Sequence, residues 1–153
     1  MLYLIALIIG IIAGLRALTA PAAVSWAAHT GALHLEGTWL AFLGYAWTPW
    51  ILTLLALAEY VTDQLPSTPS RKVPMQFGAR LASGAISGAA IGVSGGSWLG
   101  GLLAGVIGAA IGTYGGAELR GRMAEAFGQD RPAALIENAV AIVAAVVVVL
   151  ALR

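Results

Sequence analysis

The chain contains no cysteine. That excludes disulfides, thiolate metal sites and cysteine nucleophiles. Histidine is nearly missing too, with His29 and His34 as the whole supply. Together with Glu36 they make at most a sparse metal site. Solvated loop residues are the simpler reading, and no metal or cofactor is expected. Charge is the third shortage. Asp, Glu, Lys and Arg make up 10% of the 153 residues, against ~25% in a soluble domain. So few charges cannot coat a globule, and 59% of the residues are hydrophobic. Composition alone therefore assigns the chain to the membrane class. The formal net charge of +1 comes without a basic patch interleaved with aromatics, so nucleic-acid binding has no support. HExxH and DxxD patterns are absent, and no enzyme is predicted.

What the chain does have is long apolar runs. A crossing needs ~20 residues, and five segments qualify: about 2–28, 38–63, 75–94, 98–120 and 133–152. The expected fold class is all-α, a polytopic transmembrane helix bundle of five spans in a single domain, 1–153. Residues 2–13 could pass for a signal-peptide core. No Lys or Arg precedes them, and the apolar run continues past residue 20, so a first membrane helix is expected instead. Gly14 weakens that helix and Pro21 removes a backbone donor, so it is expected to be bent or broken. In the second segment Pro49 suits a first helical turn, with 38–48 as an interfacial lead-in.

The loops set the orientation. Arg71 and Lys72 fall between the second and third spans, and Arg120, Arg122 and Arg131 between the fourth and fifth. The loops near 29–37 and 95–97 carry no Lys or Arg. The positive-inside rule then places the N-terminus in the cytoplasm and the C-terminus outside. Trp26, Trp39, Trp47, Trp50 and Trp98 fall toward the outer ends of the spans. Tyr3, Tyr60, Phe77, Tyr114 and Phe127 fall toward the inner ends, which makes two interfacial belts.

Gly84, Gly88 and Gly92 repeat every four residues, as do Gly108, Gly112 and Gly116, and the pair Gly101 and Gly105. Such ridges let helix backbones approach closely. The third and fourth spans, joined by Ser94-Gly95-Gly96-Ser97, are expected to form a Gly-rich antiparallel hairpin. The ridges can serve internal packing, a contact in a homo-oligomer, or the lining of a pore. The stretch from Leu65 to Pro74 holds three prolines and reads as an extended connector, or as a cytoplasmic gate.

Arg16 is the anomaly, the single charge in residues 2–28. It lies roughly 21 Å along the helix from residue 2. A guanidinium near mid-bilayer costs about 2.5–3.5 kcal/mol, so partners are required. Glu59, Asp63, Glu118 and Glu137 lie toward the cytoplasmic ends of their spans, and Arg80 matches them in depth. Every span thus contributes an ionisable group. The candidate site for a small polar or charged solute is Arg16, Glu59, Asp63, Arg80, Glu118 and Glu137, with Glu59 the expected partner of Arg16. Plainer roles compete: Glu118 as an i,i+4 partner of Arg122, Glu137 as an acidic group favoured early in a helix, Arg80 as one more positive-inside residue, and Arg16 with Glu59 as a buried structural pair.

Gly14-Leu15-Arg16-Ala17, the run from Glu59 to Pro66, Arg80, the Gly-rich hairpin and Glu137-Asn138 together resemble an uncharacterised family of small bacterial integral membrane proteins, catalogued as a domain of unknown function. The likeness covers most of the chain. It implies a multi-pass helical fold in the bacterial inner membrane and carries no activity. An acidic pair is expected near the start of the last helix; here its second position is Asn138, which weakens a proton-relay role. Three functions are weighed: a small transporter or channel, a non-catalytic scaffold or partner subunit held by a structural charge network, and a lipid-acting enzyme with Mg²⁺ on the carboxylates. Transport is preferred, with membrane lipid, a small polar or ionic solute and a second copy of the chain as partners.

Overall fold

The computed structural model describes residues 1–62 and 74–153. Among these residues the fold is all-α, with no strand. The helices are α1 (Leu2–Leu15), α2 (Thr19–His29), α3 (Thr48–Thr62), α4 (Pro74–Ser94), α5 (Trp98–Phe127) and α6 (Asp130–Leu152), with a 3₁₀ turn at Ala41–Gly44. Asp63 and the connector or gate that follows it lie outside the described residues. Pro74 opens α4, where its missing N–H is no loss.

Two helical stretches, Trp98–Phe127 and Arg131–Leu152, are long and apolar enough to cross a membrane. Leu2–Leu15 and Thr48–Thr62 are apolar but shorter. That is fewer than the five spans expected, and the reasons are local. The first segment is cut at Arg16–Leu18. Residues 38–47 form turns and the 3₁₀ element instead of helix, which leaves α3 with 15 described residues. In α4, Gln76, Arg80, three serines and four glycines dilute the apolar character.

Glycine fixes the centre. Gly84 and Gly88 of α4 face Gly105 and Gly101 of α5, and Gly92 faces Ser97 just before α5, as the antiparallel hairpin requires. Gly10 and Gly14 of α1 pack on Gly105 and on the backbone of Ala109, Gly112 and Thr113. A Cβ at any of these glycines would collide with facing backbone. The ridges therefore serve internal packing of α1, α4 and α5. Gly78, Gly115 and Gly121 face open space.

These contacts also give direction. Leu2 packs on Gly95 and Tyr3 on Gly100, while Gly14 reaches Thr113, so α1 runs alongside α5 in the same sense. α2 then comes back. The Ser25 hydroxyl donates to the Leu43 carbonyl. Beyond α2, Trp39 meets Trp98 at the start of α5, edge to face with centroids 5.7 Å apart. Leu33, Leu35, Leu40 and Leu43 join the buried cluster that contains Ile5. α1 and α2 are thus a helical hairpin with its tip at Arg16–Leu18. Its open end lies with the tryptophans; its tip points toward the end where Arg120, Arg122 and Arg131 gather.

This corrects the sequence reading. The first segment does break, but it turns back where a bend within one crossing was expected. Leu2 and the end of α6 consequently lie at the same end of the bundle, and Tyr3 stands with the tryptophans. The physical cause is Arg16. Its backbone is extended (φ −142°, ψ 112°) and stops α1, and its side chain is tied to other helices.

Candidate functional site

A hairpin tip leaves backbone groups that no helix satisfies. Here the C-terminus of α1 offers carbonyls and the start of α2 offers N–H groups, and each set finds charge of the opposite sign. The Glu59 carboxylate on α3 accepts from the N–H of Ala17 (2.9 Å) and of Leu18 (3.0 Å). On the carbonyl side, Arg80 of α4 donates through Nη1 to Gly14 O at 2.9 Å. Arg16 donates through its own Nη1 to Leu15 O at 3.0 Å. The Ser83 hydroxyl, one turn beyond Arg80, donates to Ala17 O. Anion at the N-terminus and cations at the C-terminus is the arrangement the helix dipoles favour.

The Arg16 side chain bonds to α6. Its Nε donates to Asn138 Oδ1 at 2.6 Å and its Nη1 to Glu137 Oε1 at 3.1 Å, both on α6. Arg120 of α5 stands behind, Nη1 4.0 Å from Glu137 Oε2. The Tyr60 ring lies 6.0 Å from the guanidinium carbon, and the Tyr60 and Thr19 hydroxyls share a hydrogen bond of 2.6 Å. Arg16 is 0% exposed, Arg80 3% and Glu137 5%. In so dry a place, removal of one partner leaves a charge that water cannot reach.

Four of the six residues singled out from the sequence meet at the tip: Arg16, Glu59, Arg80 and Glu137. Glu118 does not. It pairs with Arg122 at 2.7 Å on the surface, with both side chains mostly exposed. Asp63 lies outside the described residues. The expected Arg16–Glu59 pair is replaced by two separate pairings. Glu59 is taken by the bare N–H groups of the tip, and α6 supplies the guanidinium with both a carboxylate and an amide. Sequence reasoning missed Ser83, Thr19, Tyr60 and Arg120 as members of the site. Ser83 had a usable signal, three residues after Arg80 and so on the same helix face. Arg120 was hidden by its neighbour Arg122, since both read as ordinary loop charges.

No protein-family model, curated protein or solved structure matches the chain. Chemically, the tip holds cations and anions paired in a buried place. Such a centre can hold the hairpin shut, or release its pairs one by one to a charged solute.

Proposed function

We propose that the chain is a small multi-pass protein of the bacterial inner membrane that transports a small polar or charged solute past the hairpin tip. α3 to α6 cross the bilayer, and α1–α2 enters from one side as a re-entrant hairpin. The positive-inside rule makes the arginine end cytoplasmic, so the hairpin dips in from outside. A homo-oligomer is the expected working unit.

The observation that carries this reading is the tip. Irregular backbone at membrane depth is tolerated only where protein or a polar cavity covers it. In transporters, half-helix termini of this kind bind the solute and its coupling ion. A plain span needs neither the break nor a buried guanidinium. On this reading Glu59 occupies the N–H groups that an anion would take, and Glu137 occupies Arg16.

A second reading has its own observation. Arg16 is wholly buried and bonded within the chain, as a structural lock in a non-catalytic scaffold would be. One experiment separates the two. Proteoliposomes are incubated with a defined mixture of inorganic ions and small metabolites, and their contents are analysed by mass spectrometry. For a transporter, wild type accumulates at least one solute above empty liposomes. Glu59→Gln and Arg16→Lys, verified as folded, lose that uptake. If wild type matches empty liposomes for every solute, the transport reading fails and the lock remains.

A further inference from the structure

A groove of about 490 Å³ runs between α2, α3 and α6. Binding sites for small molecules are typically ~300–1,000 Å³ and mostly apolar. The groove exists because small residues line its floor: Ala22 and Ala23 on α2, Ala56 on α3 and Ala145 on α6. At its inner end are the Thr19 and Tyr60 hydroxyls, already bonded to each other. One donates to the other, so the pair has a single further O–H to place. At its outer end is Arg153, a cation on the groove wall.

Its length is informative. The α6 wall runs from Ile142 to Arg153, roughly 16 Å at ~1.5 Å per residue. Half of a ~30 Å hydrocarbon core is ~15 Å. The groove starts beside the hairpin tip and ends at the tryptophan end, so it spans one leaflet and no more. An apolar trough of one leaflet's depth with a cation at its rim matches one kind of molecule.

We propose that this groove holds one acyl chain of an anionic phospholipid from the leaflet at the tryptophan end, with the headgroup against Arg153. The lipid wedges α6 against the hairpin and covers the Thr19–Tyr60 pair that lies over Arg16. It thereby becomes part of the wall beside the charge cluster. This rests on the membrane reading above, but not on transport.

The test uses the full chain, extracted from membranes of mixed phosphatidylglycerol and phosphatidylethanolamine content in mild detergent and examined by native mass spectrometry. Wild type retains one phospholipid, enriched in phosphatidylglycerol over the membrane ratio. Val146→Trp, at an exposed position on the groove wall, loses it. Arg153→Gln keeps a lipid but loses the enrichment. Should Val146→Trp not be recovered, Leu150→Trp further out on the same wall makes the same test. A membrane-extracted wild type without lipid, or equal retention in the groove-filling variant, overturns the proposal and leaves the membrane reading standing. Recovery of the chain in the soluble fraction overturns both.

Discussion

Between α1, α4 and α5 the helix backbones touch. Between α2, α3 and α6 they stand apart, and a groove of about 490 Å³ remains. The first half is written in glycine: Gly10, Gly14, Gly84, Gly88, Gly92, Gly101, Gly105, Gly108 and Gly112 each face backbone with no room for a methyl group. The second half is written in alanine and larger side chains, and its outer surfaces are apolar and exposed, as at Leu54, Val143 and Val147. The difference separates rigidity from adaptability within a single bundle. Touching backbones have one geometry; helices spaced by side chains can shift. The tip Arg16–Leu18 lies on the seam. Its carbonyls are held by Arg80 and Ser83 from the glycine side. Its N–H groups and the Arg16 guanidinium are held by Glu59, Glu137 and Asn138 from the other.

The largest effect that sharpens this comparison comes from the seam. Glu137→Ala removes the carboxylate that Arg16 Nη1 meets at 3.1 Å in a buried site, and the loss of one member of a buried pair costs about 3–5 kcal/mol. A thermal melt in detergent should show the variant strongly destabilised or unfolded. A variant that melts like wild type would mean that α6 does not hold the tip. Next comes Glu59→Ala, which bares two N–H groups at the start of α2. Hydrogen bonds to a charged group are worth about 1.5–3 kcal/mol each. Hydrogen exchange at the Ala17 and Leu18 amides should speed up, while exchange within α4 and α5 stays slow.

The glycine side is tested by Gly105→Ala. A methyl there meets the backbone of Gly84 and Gly88, and overpacking of this kind costs about 1–3 kcal/mol. Gly115→Ala is its control on the same helix, at a position facing open space. It should hold or raise the melting temperature, because alanine is the better helix former by up to about 1 kcal/mol. If the two substitutions behave alike, the contrast between the halves is lost. The smallest effect belongs to Glu118→Ala. Its pair with Arg122 is solvent-exposed, and such pairs contribute about 0–1 kcal/mol. Both stability and any uptake activity should be unchanged.

Much of this was legible in the residues. The four-residue glycine spacing announced the close-packed hairpin of α4 and α5, because only that spacing lines one helix face with hydrogen. Arg16, alone in an apolar run, announced a polar centre, and a break near it was expected from Gly14 and Pro21, although Arg16 itself is what stops α1. The reversal at the break was not legible. A bend and a hairpin leave the same local pattern, and the difference lies in what Leu2 and Tyr3 touch: Gly95 and Gly100, far away in sequence. The partner of Arg16 was hidden for a related reason. Depth ordering suggested Glu59, yet the hairpin gives Glu59 the nearer task of capping α2. Glu118 was grouped with the others because its depth along α5 resembled theirs, whereas its helix face turns outward and sets it apart from the tip.

The central claim is that α1 and α2 fold back on one another at Arg16–Leu18, so that Leu2 lies beside the turn between α4 and α5. The lack of native cysteine makes this directly measurable. A Cβ on Gly95 would stand 3.6 Å from the Leu2 Cβ, inside the ~3.5–4.5 Å range of a disulfide. The Leu2→Cys/Gly95→Cys double variant, oxidised in membranes, should lose two hydrogens by intact mass in most of the protein, while Leu2→Cys/Gln129→Cys should remain reduced. The opposite result, a cross-link to position 129 and none to position 95, would place α1 the other way up and contradict the hairpin.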